Sequence, residues 1–201
     1  WDARPDDEIL AAGWSGVMAL PRLLSLNADG SVASHPAPEV TALRGAHASL
    51  PAQTLPQGNL RISNLRGASC EILARFTPGS AQRFGLRVLC APDGTQHTTI
   101  GYDAPSSQVF IDRSQAGLQP KMAFGWPNPP LHAAPLPLAE GEPLELRVFL
   151  DQSVIEVFTN RGLALSSRVY PRQPQACTAA LFAEGGSAHL QGLDYWQLSF
   201  T

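Results

Sequence analysis

Leu144-Glu145-Leu146-Arg147-Val148-Phe149-Leu150 and Val154-Ile155-Glu156-Val157-Phe158-Thr159 flank the turn residues Asp151-Gln152-Ser153. Apolar side chains recur at every second position in the first run, which is the period of a strand with one face in a core. The second run ends at Asn160-Arg161-Gly162, a turn signal, and a third run covers 163–170. Three strands joined by short glycine or Asx turns predict a β-meander.

The same period extends in both directions. Glu71-Ile72-Leu73-Ala74-Arg75-Phe76 reads as a strand that stops at Pro78-Gly79, and Arg83-Phe84-Gly85-Leu86-Arg87-Val88-Leu89 alternates arginine with large apolar residues. Strands are also expected over 98–102, 108–112, 177–183 and 188–200. At least nine strands with turn signals between them predict an all-β antiparallel sandwich or barrel. No helix of ten residues or more is expected. Residues 119–138 read as a proline-rich loop around Trp126-Pro127-Asn128-Pro129-Pro130. Residues 31–58 hold Pro36, Pro38, Pro51 and Pro56 with little periodicity and read as a linker, with one or two helical turns over 39–44. Residues 1–30 form a separate opening, with strand-like apolar runs before the turn Asn27-Ala28-Asp29-Gly30.

Composition excludes several classes. Of 201 residues, 44% are hydrophobic and 15% charged, enough apolar mass for a core, so wholesale disorder is excluded. Thirteen arginines and one lysine are scattered singly at a net charge of −3, which excludes the clustered basic face of a nucleic-acid binder. No apolar run reaches the ~20 residues of a bilayer span. The three cysteines read as buried free thiols, with a Cys70–Cys90 bridge as the alternative. The chain starts at Trp1 and shows no signal-peptide pattern, so it reads as a processed product or fragment, and secreted and cytoplasmic settings both stay open.

Chemistry-bearing residues are sparse. The histidines (His35, His47, His97, His132, His189) have no metal-ligand spacing, and neither metal nor cofactor is expected. Ser15 lacks the glycine two residues on that a nucleophile elbow requires, since Val17 stands there. Carboxylates interest us more, because glycoside hydrolysis needs two of them facing one sugar. Asp103, Asp112, Asp151 and Glu156 all fall in the β-rich region. Asp151 reads as a turn residue bonded to its own backbone. Glu156 reads as a partner for Arg147 or Arg168 on neighbouring strands, and Asp112-Arg113 in the same way. Trp126 has two readings: a platform for the apolar face of a sugar ring, or an aromatic packed under its own loop.

Three segments resemble the C-terminal part of glycoside hydrolase family 32, the β-fructofuranosidases, levanases and invertases. Gly13-Trp14-Ser15-Gly16-Val17-Met18-Ala19-Leu20-Pro21-Arg22 is similar to that family's W-R-G-x-M-T-L-P-R-E segment at the end of its propeller domain. Ser15 replaces its arginine and Leu23 its final glutamate. Ile100-Gly101-Tyr102-Asp103 and Val109-Phe110-Ile111-Asp112-Arg113 resemble a strand pair of its C-terminal sandwich. Asp151, Ser153, Glu156, Phe158, Gly162 and Ser167-Arg168-Val169-Tyr170-Pro171 match the signature D-x-S-x-x-E-x-F…G…S-R-x-Y-P.

The resemblance implies a jelly-roll or galectin-like sandwich of two sheets over 59–201, a linker over 31–58, and a remnant of the last propeller blade over 1–30. It implies a retaining β-fructosidase as parent, with a missing N-terminal β-propeller as partner. The family's catalytic carboxylates belong to N-D-P-N-G, R-D-P and E-C motifs, and none of the three occurs here. The chain is therefore expected to be inactive alone and to buttress the propeller, shaping the outer substrate cleft or a dimer contact, with self-association through 14–26 when isolated. Two rivals stand beside this: a free-standing carbohydrate-binding module using Trp126, and a glycosidase built on Asp112 and Glu156.

Overall fold

The computed structural model describes residues 5–13, 16–119 and 128–199. A short helix α1 (Asp6–Ala12) precedes the hairpin β1 (Arg22–Leu26) and β2 (Val32–Pro36), and a 3-10 turn (Pro38–Leu43) follows it. Next come β3 (Arg44–Leu50), β4 (Gln53–Leu55), β5 (Gly58–Arg66), β6 (Ser69–Thr77), β7 (Arg83–Cys90), β8 (Thr98–Asp103), β9 (Gln108–Asp112) and β10 (Leu131–Pro135). The chain closes with β11 (Leu144–Asp151), β12 (Val154–Thr159), β13 (Ala164–Arg168), β14 (Thr178–Glu184) and β15 (Ala188–Leu198).

All pairings are antiparallel; apart from the two-stranded β1–β2 hairpin, they form two stacked sheets. One runs β10-β9-β8-β7-β14-β5; the other runs β13-β12-β11-β6-β15-β3, with β4 also on β15. Period-two alternation sends Phe76, Leu146, Val148, Ile155 and Leu193 inward from the second sheet. Phe84, Leu86, Ile100, Ile111 and Leu181 meet them from the first. This is the two-sheet β-sandwich expected from the sequence. The meander appears as β11-β12-β13, and the longest described helix has seven residues.

Residues 31–58 differ from the linker reading. β3 and β4 both hydrogen bond to β15 and so belong to the seven-stranded sheet. Their side chains are small or polar and mostly face water, so no apolar alternation announces them; backbone pairing makes the strand. The turn expected near 39–44 is the 3-10 turn. Cys70, Cys90 and Cys177 are free thiols, and burial pushes Cys70 up to about 12 and Cys90 to about 11.

Candidate functional site

The outer face of the seven-stranded sheet carries two buried carboxylates and the arginines that pair with them. Cross-strand register sets Trp196, Glu71, Phe149, Glu156 and Ser166 side by side on β15, β6, β11, β12 and β13. The two carboxylates in this row are sealed: Glu71 is 0% exposed and Glu156 2%. A buried carboxylate needs a cation and further hydrogen bonds to offset its lost hydration. Arg44 gives Glu71 two bonds, Nε to Oε2 at 2.8 Å and Nη2 to Oε1 at 2.6 Å. Arg147 adds Nε to Oε1 at 2.7 Å. The bond to Glu71 holds the Arg44 guanidinium above its ordinary value, more than burial lowers it. Arg44 also lies flat over Trp196, 3.7 Å from the ring centroid, and His47 stacks on the same indole.

Glu156 is bound from outside the sandwich. Its Oε1 accepts the Leu20 N–H at 2.6 Å, and its Oε2 pairs with the Arg22 guanidinium. Arg22 also donates to Ser166 Oγ at 2.6 Å and lies over the Phe158 ring. Beside it, Phe149, Phe158 and Leu198 turn outward and are covered by Ala37 and Val40, with Leu20 and Leu43 against them. The hairpin β1–β2 is fastened a second time where Ser34 N–H donates to Gly162 O at 2.8 Å. Gly162 sits at φ +74°, and a Cβ there would come within 2.4 Å of the Ala33 methyl, so only glycine allows the hairpin this close. An apolar cavity of about 390 Å³ remains between residues 17–21 and the β11–β12 turn.

The structure reassigns the arginines expected to serve Glu156. Arg147 goes to Glu71, and Arg168 donates to Ser153 Oγ at 3.2 Å while lying over the Tyr170 ring. Both sit diagonally from Glu156, whose direct neighbours are Phe149 and Ser166, and Arg22 reaches it from the segment that crosses above the sheet. Glu71 escaped sequence reasoning although the alternation of β6 placed it on the outer face. Asp151 ends β11 and accepts a bond from Ser69 Oγ at 3.2 Å rather than capping its own turn. Ser153 is buried, and Phe158 meets Phe149 edge to face.

Asp112 caps the following turn by accepting Ser114 N–H at 2.8 Å. It stands on the outer face of the other sheet, so the sandwich separates it from Glu156 and no catalytic pair forms between them. Arg113 is 2% exposed; burial lowers its guanidinium. It donates to Asn128 Oδ1 at 2.9 Å and to the Pro129 and Arg168 carbonyls, and it contacts His132 Nε2 at 3.1 Å. It thus ties the end of the proline-rich loop to β13. Trp126 lies outside the described residues. Among the described residues no group of His, Cys, Asp and Glu is arranged to hold a metal, and no helix is long and apolar enough to cross a membrane.

Comparison with known proteins agrees with this architecture. Residues 39–197 match the family profile described as "Glycosyl hydrolases family 32 C terminal". A levanase of Bacillus sp. (strain L7) is 32% identical over 188 residues, covering 90% of this chain and 20% of the levanase. A sucrose-6-phosphate hydrolase of Escherichia coli is 29% identical over 187 residues, covering 92% of this chain and 35% of that protein. The crystal structure of fructan 1-exohydrolase IIa from Cichorium intybus superposes with a TM-score of 0.83 at 17% identity, over 98% of this chain and 44% of that one. The chain thus spans a minor part of the relatives it matches.

Proposed function

Given that the chain belongs to the C-terminal domain family of glycosyl hydrolases family 32, we propose that it is a non-catalytic β-sandwich that holds the end of an upstream catalytic domain in a fructan- or sucrose-cleaving hydrolase. The observation that carries this is the Glu156 latch. A carboxylate sealed within the sandwich face spends its hydrogen bonds on Leu20 and Arg22 of the incoming segment. Such an arrangement fixes where the chain enters. The segment it fixes is the one that resembles the end of a propeller domain.

The hairpin that the latch secures bears Leu23, Leu24, Leu26 and Val32 on its exposed surface, with Met18 91% exposed nearby. Contiguous apolar surface of this kind marks an interaction site, and the partner we assign is the missing propeller. Chemistry agrees with a supporting role. Glu71 and Glu156, the sealed carboxylates, are both occupied by arginine, and neither is placed to face a sugar with a second free carboxyl.

Two measurements test the reading. The 201-residue chain is expected to release no fructose from sucrose, inulin or levan above a heat-killed control; release abolished by a substitution within this chain would overturn the proposal. Light scattering is expected to show self-association of the isolated chain through the 16–26 surface, relieved when residues 1–30 are deleted. A truncated chain that no longer folds would assign that segment to the sandwich core instead.

A further inference from the structure

The other outer face, on the six-stranded sheet, holds a small polar cleft that the latch and the apolar hairpin leave untouched. Next to it in the sheet is a glycine pair: Gly85 on β7 lies opposite Gly101 on β8, between Phe182 of β14 and Phe110 of β9. A Cβ on Gly101 would come within 2.9 Å of the Phe182 ring, so the ring lies down over that glycine. Both rings are almost wholly covered although they point away from the core. The covers are guanidiniums: Arg83 lies 4.4 Å from the Phe110 centroid and Arg87 5.2 Å from that of Phe182. Glu184 fixes Arg87 further, at 2.8 Å. Stacking and ion pairing thus preset both arginines, so little side-chain freedom remains to be lost on binding.

The next register row places Thr99 between Arg87 and Asp112, and the Asp112 turn brings up Ser114. These groups line a cavity of about 110 Å³, the share of about four liquid waters. Two cations, Arg83 and Arg87, face two carboxylates, Glu184 and Asp112, so the cleft favours neither an anion nor a cation. His97 lines it as well; burial first, and then Arg87, lower its pKa, which keeps the imidazole uncharged near neutrality. What remains is a compact set of fixed donors and acceptors with almost no apolar wall. Vicinal hydroxyls, each both donor and acceptor, are the chemistry that matches it.

We propose that this cleft binds one edge of a single neutral monosaccharide ring, with Arg87 and Thr99 donating to ring hydroxyls and Asp112 accepting from them. The inference does not rest on the Glu156 latch, which lies on the opposite face, so either can fail without the other.

The test is a titration of the isotopically labelled 201-residue chain with fructose, and separately with glucose, followed by amide NMR. Saturable shifts centred on Arg87, Thr99, Asp112 and Ser114, with a Kd of about 1–10 mM for at least one sugar, are expected. Arg87→Ala and Asp112→Asn are each expected to weaken binding about fivefold or more with the remaining spectrum intact. Should Arg87→Ala unfold, Asp112→Asn and Thr99→Val decide, because asparagine can still accept the Ser114 N–H and valine preserves the threonine shape. Absence of saturable shifts up to about 100 mM of either sugar would overturn the proposal. So would shifts centred elsewhere, or variants that bind like the parent chain.

Discussion

The two outer faces of the sandwich are built from the same residue types in opposite order. On the seven-stranded face the carboxylates lie at the bottom and the arginines above them: the Glu71 and Glu156 side chains are 0% and 3% exposed, and Arg44, Arg147 and Arg22 stand at 20–25%. On the six-stranded face aromatic rings lie at the bottom, the arginines lie over them, and Glu184 is outermost at 44% exposed. An arginine can serve either arrangement because its guanidinium pairs with a carboxylate at its edge and stacks on a ring with its face. Stability therefore depends on pairing far more on the seven-stranded face. A buried carboxylate stripped of its cation is left uncompensated, whereas a solvated one returns to water at little cost.

Breaking the first face should therefore cost most. Glu71→Ala leaves the Arg44 and Arg147 guanidiniums without their shared carboxylate and is expected to destabilise the chain by about 3 kcal/mol in chemical denaturation. A loss under about 1 kcal/mol would show that the arginines reach water unaided and that burial of the carboxylate is not what distinguishes this face. Glu156→Ala follows at about 1–3 kcal/mol. Its signature is local: amides of 20–26 and 32–36 should lose exchange protection while β6 and β11 keep theirs.

Acid probes the six-stranded sheet from a different side. Burial, and then an adjacent arginine, lower the pKa of both His97 and His132, so each resists protonation in the native state. An ordinary histidine in the unfolded chain takes up its proton near pH 6.5, and the native one does so only at lower pH. Stability is accordingly full above that value and falls as the pH drops below it. His132→Gln, which cannot charge, should flatten part of this fall in melting temperature between pH 7 and 5. An unchanged slope would place the acid sensitivity elsewhere.

The smallest effect belongs to the second face: Glu184→Ala should cost less than about 1 kcal/mol, since its partners are screened by solvent. A larger loss would mean that the carboxylate, and not the rings, sets the arginine layer. Thiol labelling at pH 8 separates surface from core, with half-buried Cys177 reacting in the native protein and Cys70 and Cys90 only on unfolding.

Much of this was legible in residue order. The runs over 144–150, 154–159 and 83–89 alternate because each strand has one face in the core, and that local rule fixes strand, face and approximate ends without knowledge of any neighbour. It also places Glu71, Arg83, Arg87 and Glu156 on outer faces. It fails for β3, where Arg44-Gly45-Ala46-His47-Ala48-Ser49-Leu50 buries almost nothing and becomes a strand through its pairing with β15.

Residue order alone carries the sandwich class, the meander, and the lack in this sequence of the family's three catalytic motifs. Partnership is set by the folded arrangement. Glu156 is bound by Arg22 from 134 positions away, and Glu71 by Arg44 and Arg147 from opposite sides. Periodicity reports which way a side chain points. Which cation reaches a carboxylate depends on how strands order themselves and on what crosses above them, and those distances exist only after the sheets have stacked.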